Sequence, residues 1–219
     1  MFRLIAIIAF VATFVGIAAY CLISPCSKQC RWTPIAVLGR LVRVFTLLLS
    51  RQKLSALGIL KKLVYAVALL CFVVLAVTGF YPLLVLNEHI SGYLMMIHAT
   101  FAPVFAVCLA ILAIMWASNN RFSKNDWPGL QKVLSRVTRS KPGTELISRS
   151  YHLGQKVAFW LIISLALPLI LSIILSMFGL FGTHWQELLL ATHRWTALVF
   201  AVVAIVHTYL VIRTQMREP

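Results

Sequence analysis

Three histidines in apolar surroundings are the residues of this chain whose type and spacing suit chemistry: His98, His193 and His207. His193 and His207 stand fourteen residues apart in one apolar run. On a helix that spacing separates them by roughly 21 Å along the axis and returns them to within roughly 40° of the same face. His98 falls about seven residues into one apolar run and His193 about five into another, at a similar depth near the same boundary. Two neutral imidazoles meeting across a helical bundle are the ligand set of a b-type haem, whose iron takes two axial nitrogens while apolar helices line the slot. His207, at the other depth, would need a partner near the opposite end of another helix. Taken alone, each histidine reads as a hydrogen-bonded packing residue. Histidines inside apolar helices are costly, however, and three of them in register call for a function. No Cys-x-x-Cys-His occurs, which excludes covalent c-type attachment. Arg194 either pairs with a haem propionate or snorkels to headgroups. Met95 and Met96 read as packing residues, with a thioether ligand as the alternative if His98 does not serve. His89 and His184 belong to links and read as solvent- or partner-facing.

The elements that must carry these histidines follow from composition. Of 219 residues, 61% are hydrophobic and only 11% charged, with a mean hydropathy of +0.93. Ordinary soluble domains are about one quarter charged, so a water-soluble globule is excluded. The apolar runs are long enough to cross a bilayer: Phe2 to about Ile23, Leu63 to about Phe80, Ser91 to Trp116, Val157 to Met177 and Leu188 to Ile212. The first reads as a retained helix rather than a cleaved signal, because Ala-Ala-Tyr-Cys is a poor processing site. Gly79 and Pro82 are expected to end the second span, and Pro103 and Pro168 lie inside the third and fourth.

The formal net charge of +15 would suggest nucleic acid on a soluble protein. Here its placement points to the bilayer. Lys28, Arg31, Arg40, Arg43, Arg51, Lys53, Lys61 and Lys62 crowd one link, and Arg121, Lys124, Lys132, Arg136, Arg139, Lys141, Arg149 and Lys156 another. The links around Pro82–Gly92 and Phe178–Leu188 carry Glu88, His89, His184 and Glu187. Cytoplasmic links are rich in Lys and Arg, so both basic links and the C-terminus are placed in the cytoplasm, and no nucleic-acid partner is expected. The first helix then starts outside, although Arg3 argues the other way.

Pro34–Ser50, apolar but interrupted by Arg40 and Arg43, reads as an amphipathic helix on the cytoplasmic surface, and Leu130–Val137 as a short helix in the second basic link. Cys71 and Cys108 read as small packing residues. Cys21, Cys26 and Cys30 admit either a disulfide pair plus one or metal ligation, in a spacing that matches no strong motif. The expected fold is an all-α membrane protein: a four-helix transmembrane bundle over residues 61–219, an extra transmembrane helix over 1–26 and a basic amphipathic linker over 27–60.

A combination of motifs then resembles a known family. Tyr151-His152-Leu153-Gly154-Gln155-Lys156, followed by Phe159-Trp160, an apolar span, His193, and His207-Thr208-Tyr209 fourteen residues on, is similar to the bacterial cytochrome b561 superfamily. The likeness is to the membrane gamma subunit of formate dehydrogenase N and to Ni-Fe hydrogenase-type complexes, and it spans about Leu60 to Arg213. In that family the block reads Tyr-Asn-x-Gly-Gln-Lys, and Ser91-Gly92-Tyr93-Leu94 stands where the family has Gly-Arg-x-Leu before a ligand. The resemblance implies that His98 and His193 ligate an outer haem b and that His207 ligates an inner one.

The family's remaining ligand falls on Tyr65, where the family has histidine. Three readings follow: the inner haem is absent, Tyr65 ligates or fills its place, or another residue such as His152 serves. The resemblance further implies a quinone site near the inner haem, which Tyr65, His152, Gln155 and Lys156 would surround; Lys156 reads equally as a positive-inside anchor. The implied role is electron transfer in the bacterial inner membrane, between quinone and the iron-sulfur or cytochrome carrier of a partner subunit. The first helix, with small residues Gly16, Ala18 and Ala19, would offer a docking face. The sequence shows no phosphate-binding loop and no ferredoxin-like cysteine run. Two competing classes are a structural anchor subunit with one haem or none, and a transporter with histidine proton relays, for which the fourteen-residue spacing has no specific reason.

Overall fold

The computed structural model describes residues 1–23, 56–122, 144–178 and 182–215. Those residues form five long helices: α1 Phe2–Ile23, α2 Ala56–Tyr81, α3 Gly92–Ala117, α4 Thr144–Met177 and α5 Thr183–Gln215. Each contains a stretch long and apolar enough to cross a membrane. Inside a bilayer every backbone polar group must be satisfied within the segment, and a helix does this alone. Side-chain hydroxyls obey the same rule by bonding back one turn: Thr13 to the Ala9 carbonyl, Thr100 to Met96, Thr192 to Leu188 and Thr208 to Ala204, all at 2.7–2.9 Å.

The interior uses small residues. Ala68, Cys71, Cys108, Ala158, Ala166 and Ala201 are buried, while Leu4, Ile8, Phe14, Val107, Ile114, Leu167 and Leu171 are exposed. That inversion suits helices packed within lipid, where small side chains let backbones approach and large ones face the acyl chains. Cys71 and Cys108 are buried free thiols, as their apolar setting suggested, and Cys21 is likewise buried. Cys26, Cys30, the amphipathic stretch Pro34–Ser50 and the short helix at Leu130–Val137 lie outside the described residues.

The chain divides into two compact units, Met1–Trp116 and Ala117–Pro219. In the first, α2 does not end at Gly79 or Pro82. It continues through Pro82–Leu86 as a wider turn of π type and stops at Asn87, which adopts the left-handed conformation (φ 58°). Proline lacks the N–H that the preceding α-helical turn would bond, the wider turn begins at that residue, and the Pro82 carbonyl accepts the Glu88 N–H at 3.1 Å. Arg3 at the start of α1 donates through Nε and Nη2 to the Leu84 carbonyl of this turn, at 3.2 and 3.0 Å. The Phe10 ring meets Phe80 edge-on, with centroids 5.0 Å apart. Both contacts run α1 antiparallel to α2, its start beside the end of α2. Arg3 is thus accounted for by a terminal carbonyl that the helix itself cannot satisfy.

In the second unit α4 and α5 pack along one another. Both begin earlier than their apolar runs: α4 at Thr144 and α5 at Thr183. Hydropathy marks where lipid begins, whereas a helix continues into water wherever its backbone bonds propagate. The first turn of α5 shows this, since Thr183, His184, Trp185 and Glu187 are exposed. Trp160 of α4 donates through Nε1 to the Asn120 carbonyl at 3.0 Å, an amphipathic ring tied to the loop that follows α3.

Candidate functional site

His98 is held from α2 by two consecutive residues. Its Nδ1 lies 2.9 Å from the Thr78 hydroxyl. That hydroxyl has one proton, which it places on the Val74 carbonyl at 2.8 Å, with the Leu75 carbonyl at 3.3 Å. Carbonyls only accept, so with the hydroxyl proton on Val74 the imidazole donates its Nδ1–H to Thr78. The adjacent Gly79 provides space: a Cβ there would stand 3.3 Å from His98 Cε1 and 3.8 Å from Nδ1. The neighbouring Met95 and Met96 point outward, 55% and 69% exposed, so they do not pack as expected. On a helix crossing lipid, outward-facing thioethers contact acyl chains.

His193 belongs to the second unit and meets the same rule by a different route. Its Nδ1 is 2.9 Å from the Leu169 carbonyl of α4. This acceptor also forces a Nδ1–H. In both histidines the proton therefore sits on Nδ1 and the lone pair is left on Nε2. A metal-binding imidazole needs this arrangement, since the outer nitrogen fixes the tautomer and ring orientation and raises the basicity of the inner one.

The other candidates differ. His207 is part-buried, and its Nδ1 is buried with no hydrogen-bond partner among the described residues. Tyr65 of the first unit packs its ring against Trp116, with centroids 5.6 Å apart and a 44° tilt. The pair flanks a core of Val64, Ala68, Cys108 and Leu112. Gln155 is used in packing: its Nε2 donates to the Leu210 carbonyl at 3.1 Å, while Gly154 lets Leu210 approach to 3.2 Å of where a Cβ would be. Lys156 is half-buried in the same turn of α4. Close by on α5, the buried Arg213 donates to the Tyr209 hydroxyl. Arg194 is exposed and reaches back to the Leu190 carbonyl at 3.4 Å. His152 lies on helical backbone, but its side chain is outside the described residues. His89 and His184 are exposed, as their links implied. Gly16, Ala18 and Ala19 of α1 are exposed, and nothing approaches within 4 Å of Gly16.

The profile of the prokaryotic cytochrome b561 family matches residues 62–219, most of the chain. The chain belongs to the prokaryotic cytochrome b561 family. With five membrane-length helices it is a multi-pass inner-membrane protein. Curated protein sequences contain no significant match to it.

Within this b561-family chain, no three His, Cys, Asp or Glu side chains among the described residues converge as a metal site of their own. A haem does not call for such a cluster, because the porphyrin supplies four of the six nitrogens and the protein only the axial ones. His98 and His193 each have Nδ1 bonded, as an imidazole ligand would, and the His207 Nδ1 has no partner among the described residues. Sequence reasoning singled out the histidines but missed Thr78 and the Leu169 carbonyl. Thr78-Gly79 carried one available signal, a hydroxyl followed by a glycine inside an apolar run. A main-chain carbonyl carries none.

Proposed function

We propose that this member of the b561 family is a membrane-embedded b-type cytochrome subunit that passes electrons between a partner redox enzyme and the quinone pool, with His98 and His193 as axial ligands of one haem b. The observation that carries the reading is the pair of donated Nδ1 protons, to Thr78 and to the Leu169 carbonyl. When bound, haem b supplies a one-electron couple. The protein's own part is to hold both imidazoles in the ligating tautomer and to surround them with apolar helix that excludes water. The four-helix region over residues 61–219 carries this activity. Residues 1–26 add a helix whose small-residue face suits a further membrane subunit, and 27–60 a basic linker at the cytoplasmic surface. The partner is a subunit with an iron-sulfur or cytochrome carrier. Arg194, exposed beside His193, is the candidate partner of a propionate or of a lipid headgroup.

At the other end of the bundle His207 is the candidate ligand of an inner haem, and Tyr65, His152, Gln155 and Lys156 are the candidate quinone contacts. Two observations favour a second reading, a subunit with fewer haems than the family pattern implies and a larger structural share. The Tyr65 ring packs on Trp116, and the His207 Nδ1 has no hydrogen-bond partner among the described residues. Pyridine haemochrome analysis of the purified protein, with reduced-minus-oxidised spectra, separates the two. The cytochrome reading expects at least one haem per chain, lost in His98→Ala and in His193→Ala. A haem-free wild-type protein, or an unchanged spectrum in both variants, overturns it.

A further inference from the structure

We infer that Thr78 and Gly79 form a built seat for the His98 imidazole, with Thr78 the positioning residue that sets how strongly this ligand donates; the inference rests on His98 being a haem ligand, as proposed above. Thr78 is 5% exposed, on a helix crossing lipid. Its hydroxyl bridges two groups of fixed polarity: it donates to the Val74 carbonyl and accepts from His98 Nδ1. While the hydroxyl proton stays on the Val74 carbonyl, Thr78 accepts from Nδ1–H, and this pairing selects the tautomer with its proton on Nδ1. Gly79, one residue on, supplies what Thr78 does not. With a Cβ only 3.3 Å from Cε1, a larger residue presses on the ring edge, and the imidazole must give by a few tenths of an ångström. Hydrogen bond and clearance come from adjacent residues of one helix turn, so ring orientation and tautomer are specified together.

The two proposed ligands are not equivalent under this arrangement. His193 donates to a peptide carbonyl, an acceptor that no side-chain substitution removes. His98 donates to an alcohol oxygen already engaged as a donor. An acceptor on the far nitrogen makes the imidazole more basic and favours the ferric state. Thr78 is therefore the position at which the sequence sets the potential of the couple without touching a ligand.

The test uses the full chain, purified with its haem in detergent or nanodiscs, in four forms: wild type, Thr78→Ser, Thr78→Val and Gly79→Ala. Thr78→Ser keeps the hydroxyl and is expected to match wild type in haem content, midpoint potential and ferric low-spin electron paramagnetic resonance. Thr78→Val keeps the shape and removes the acceptor. It is expected to hold haem about 10- to 100-fold more weakly and to shift the midpoint to more positive potential; a tenfold change in the ferric-to-ferrous preference is about 59 mV for a one-electron couple. Thr78→Ala, at a helix-favouring residue, supplies the same readout if valine is not tolerated. Gly79→Ala is expected to reduce haem occupancy. A Thr78→Val or Thr78→Ala protein with wild-type occupancy, midpoint and resonance overturns the positioning role. If instead His98→Ala retains the haem, the ligand assignment itself fails, and the Thr78 inference falls with it.

Discussion

At the scale of single residues, an intramembrane histidine is decided by what its second nitrogen does. His98 and His193 each hold Nδ1 against an acceptor, whereas the His207 Nδ1 has none among the described residues. An unbonded, buried ring nitrogen costs free energy that a metal bond on the opposite nitrogen does not restore. Truncating His207 is therefore expected to spare the haem that His98 and His193 share in the proposal. His207→Ala should retain the absorbance of that haem per chain, while His98→Ala and His193→Ala lose it; difference spectra on equal amounts of protein check this. Tyr65→Phe should leave the haem spectrum unchanged, because the ring that meets Trp116 is preserved and only the hydroxyl is lost. A shifted or diminished spectrum in Tyr65→Phe would mark the phenol as a ligand or as a close neighbour of one.

At the scale of elements, close approach depends on a few small residues and terminal carbonyls. Gly154 admits Leu210, and Gln155 ties the same stretch of α4 to the Leu210 carbonyl. The tip of the Leu210 side chain can move a few tenths of an ångström, and alanine removes glycine's entropic penalty of roughly 0.5–1 kcal/mol in a helix. Gly154→Ala is thus expected to be nearly neutral. Gly154→Leu has no such outlet and should destabilise by about 1–3 kcal/mol, read as a lower unfolding midpoint in mixed-micelle denaturation. On the first helix, Arg3 provides two hydrogen bonds to one carbonyl of the π-type turn. Charged hydrogen bonds contribute about 1.5–3 kcal/mol each in favourable settings. Arg3→Ala is expected to loosen α1 from the end of α2, lowering the cross-linking yield of cysteines introduced together as Phe10→Cys and Phe80→Cys.

For the molecule as a whole, the charge on the links and the packing of α1 agree on one orientation. By their charge, the basic linker 27–60 and the loop 119–149 are expected in the cytoplasm. The antiparallel contact then puts the start of α1 on the opposite side, with Leu84 and Phe80. Arg3, which argues the other way on charge alone, is bonded to a carbonyl instead of counting as a cytoplasmic anchor. Cysteines introduced at Ser91 and Thr183 are expected to react with an impermeant maleimide in intact cells or spheroplasts, and one at Ser140 only after the membrane is opened. The reverse pattern would invert the topology and with it the assignment of His98 and His193 to the outer half.

The number of spans and their all-helical character were legible in the sequence, because a bilayer imposes a length on apolar runs that no partner helix is needed to read. The histidines were legible for a related reason: a polar ring in such a run stands out in composition alone. What lay beyond the sequence was contact between segments. Gly79 and Pro82 looked like a helix end, yet the chain continues to Asn87, because a wider turn of π type takes up the proline. Met95 and Met96 looked like packing residues and face outward, because which side of α3 meets its neighbours is decided by the neighbours. The acceptors for His98 and His193 lie 20 and 24 residues away along the chain. One is a threonine like any other in the sequence and the other a main-chain oxygen that every residue has, so only tertiary packing decided which of them would hold an imidazole.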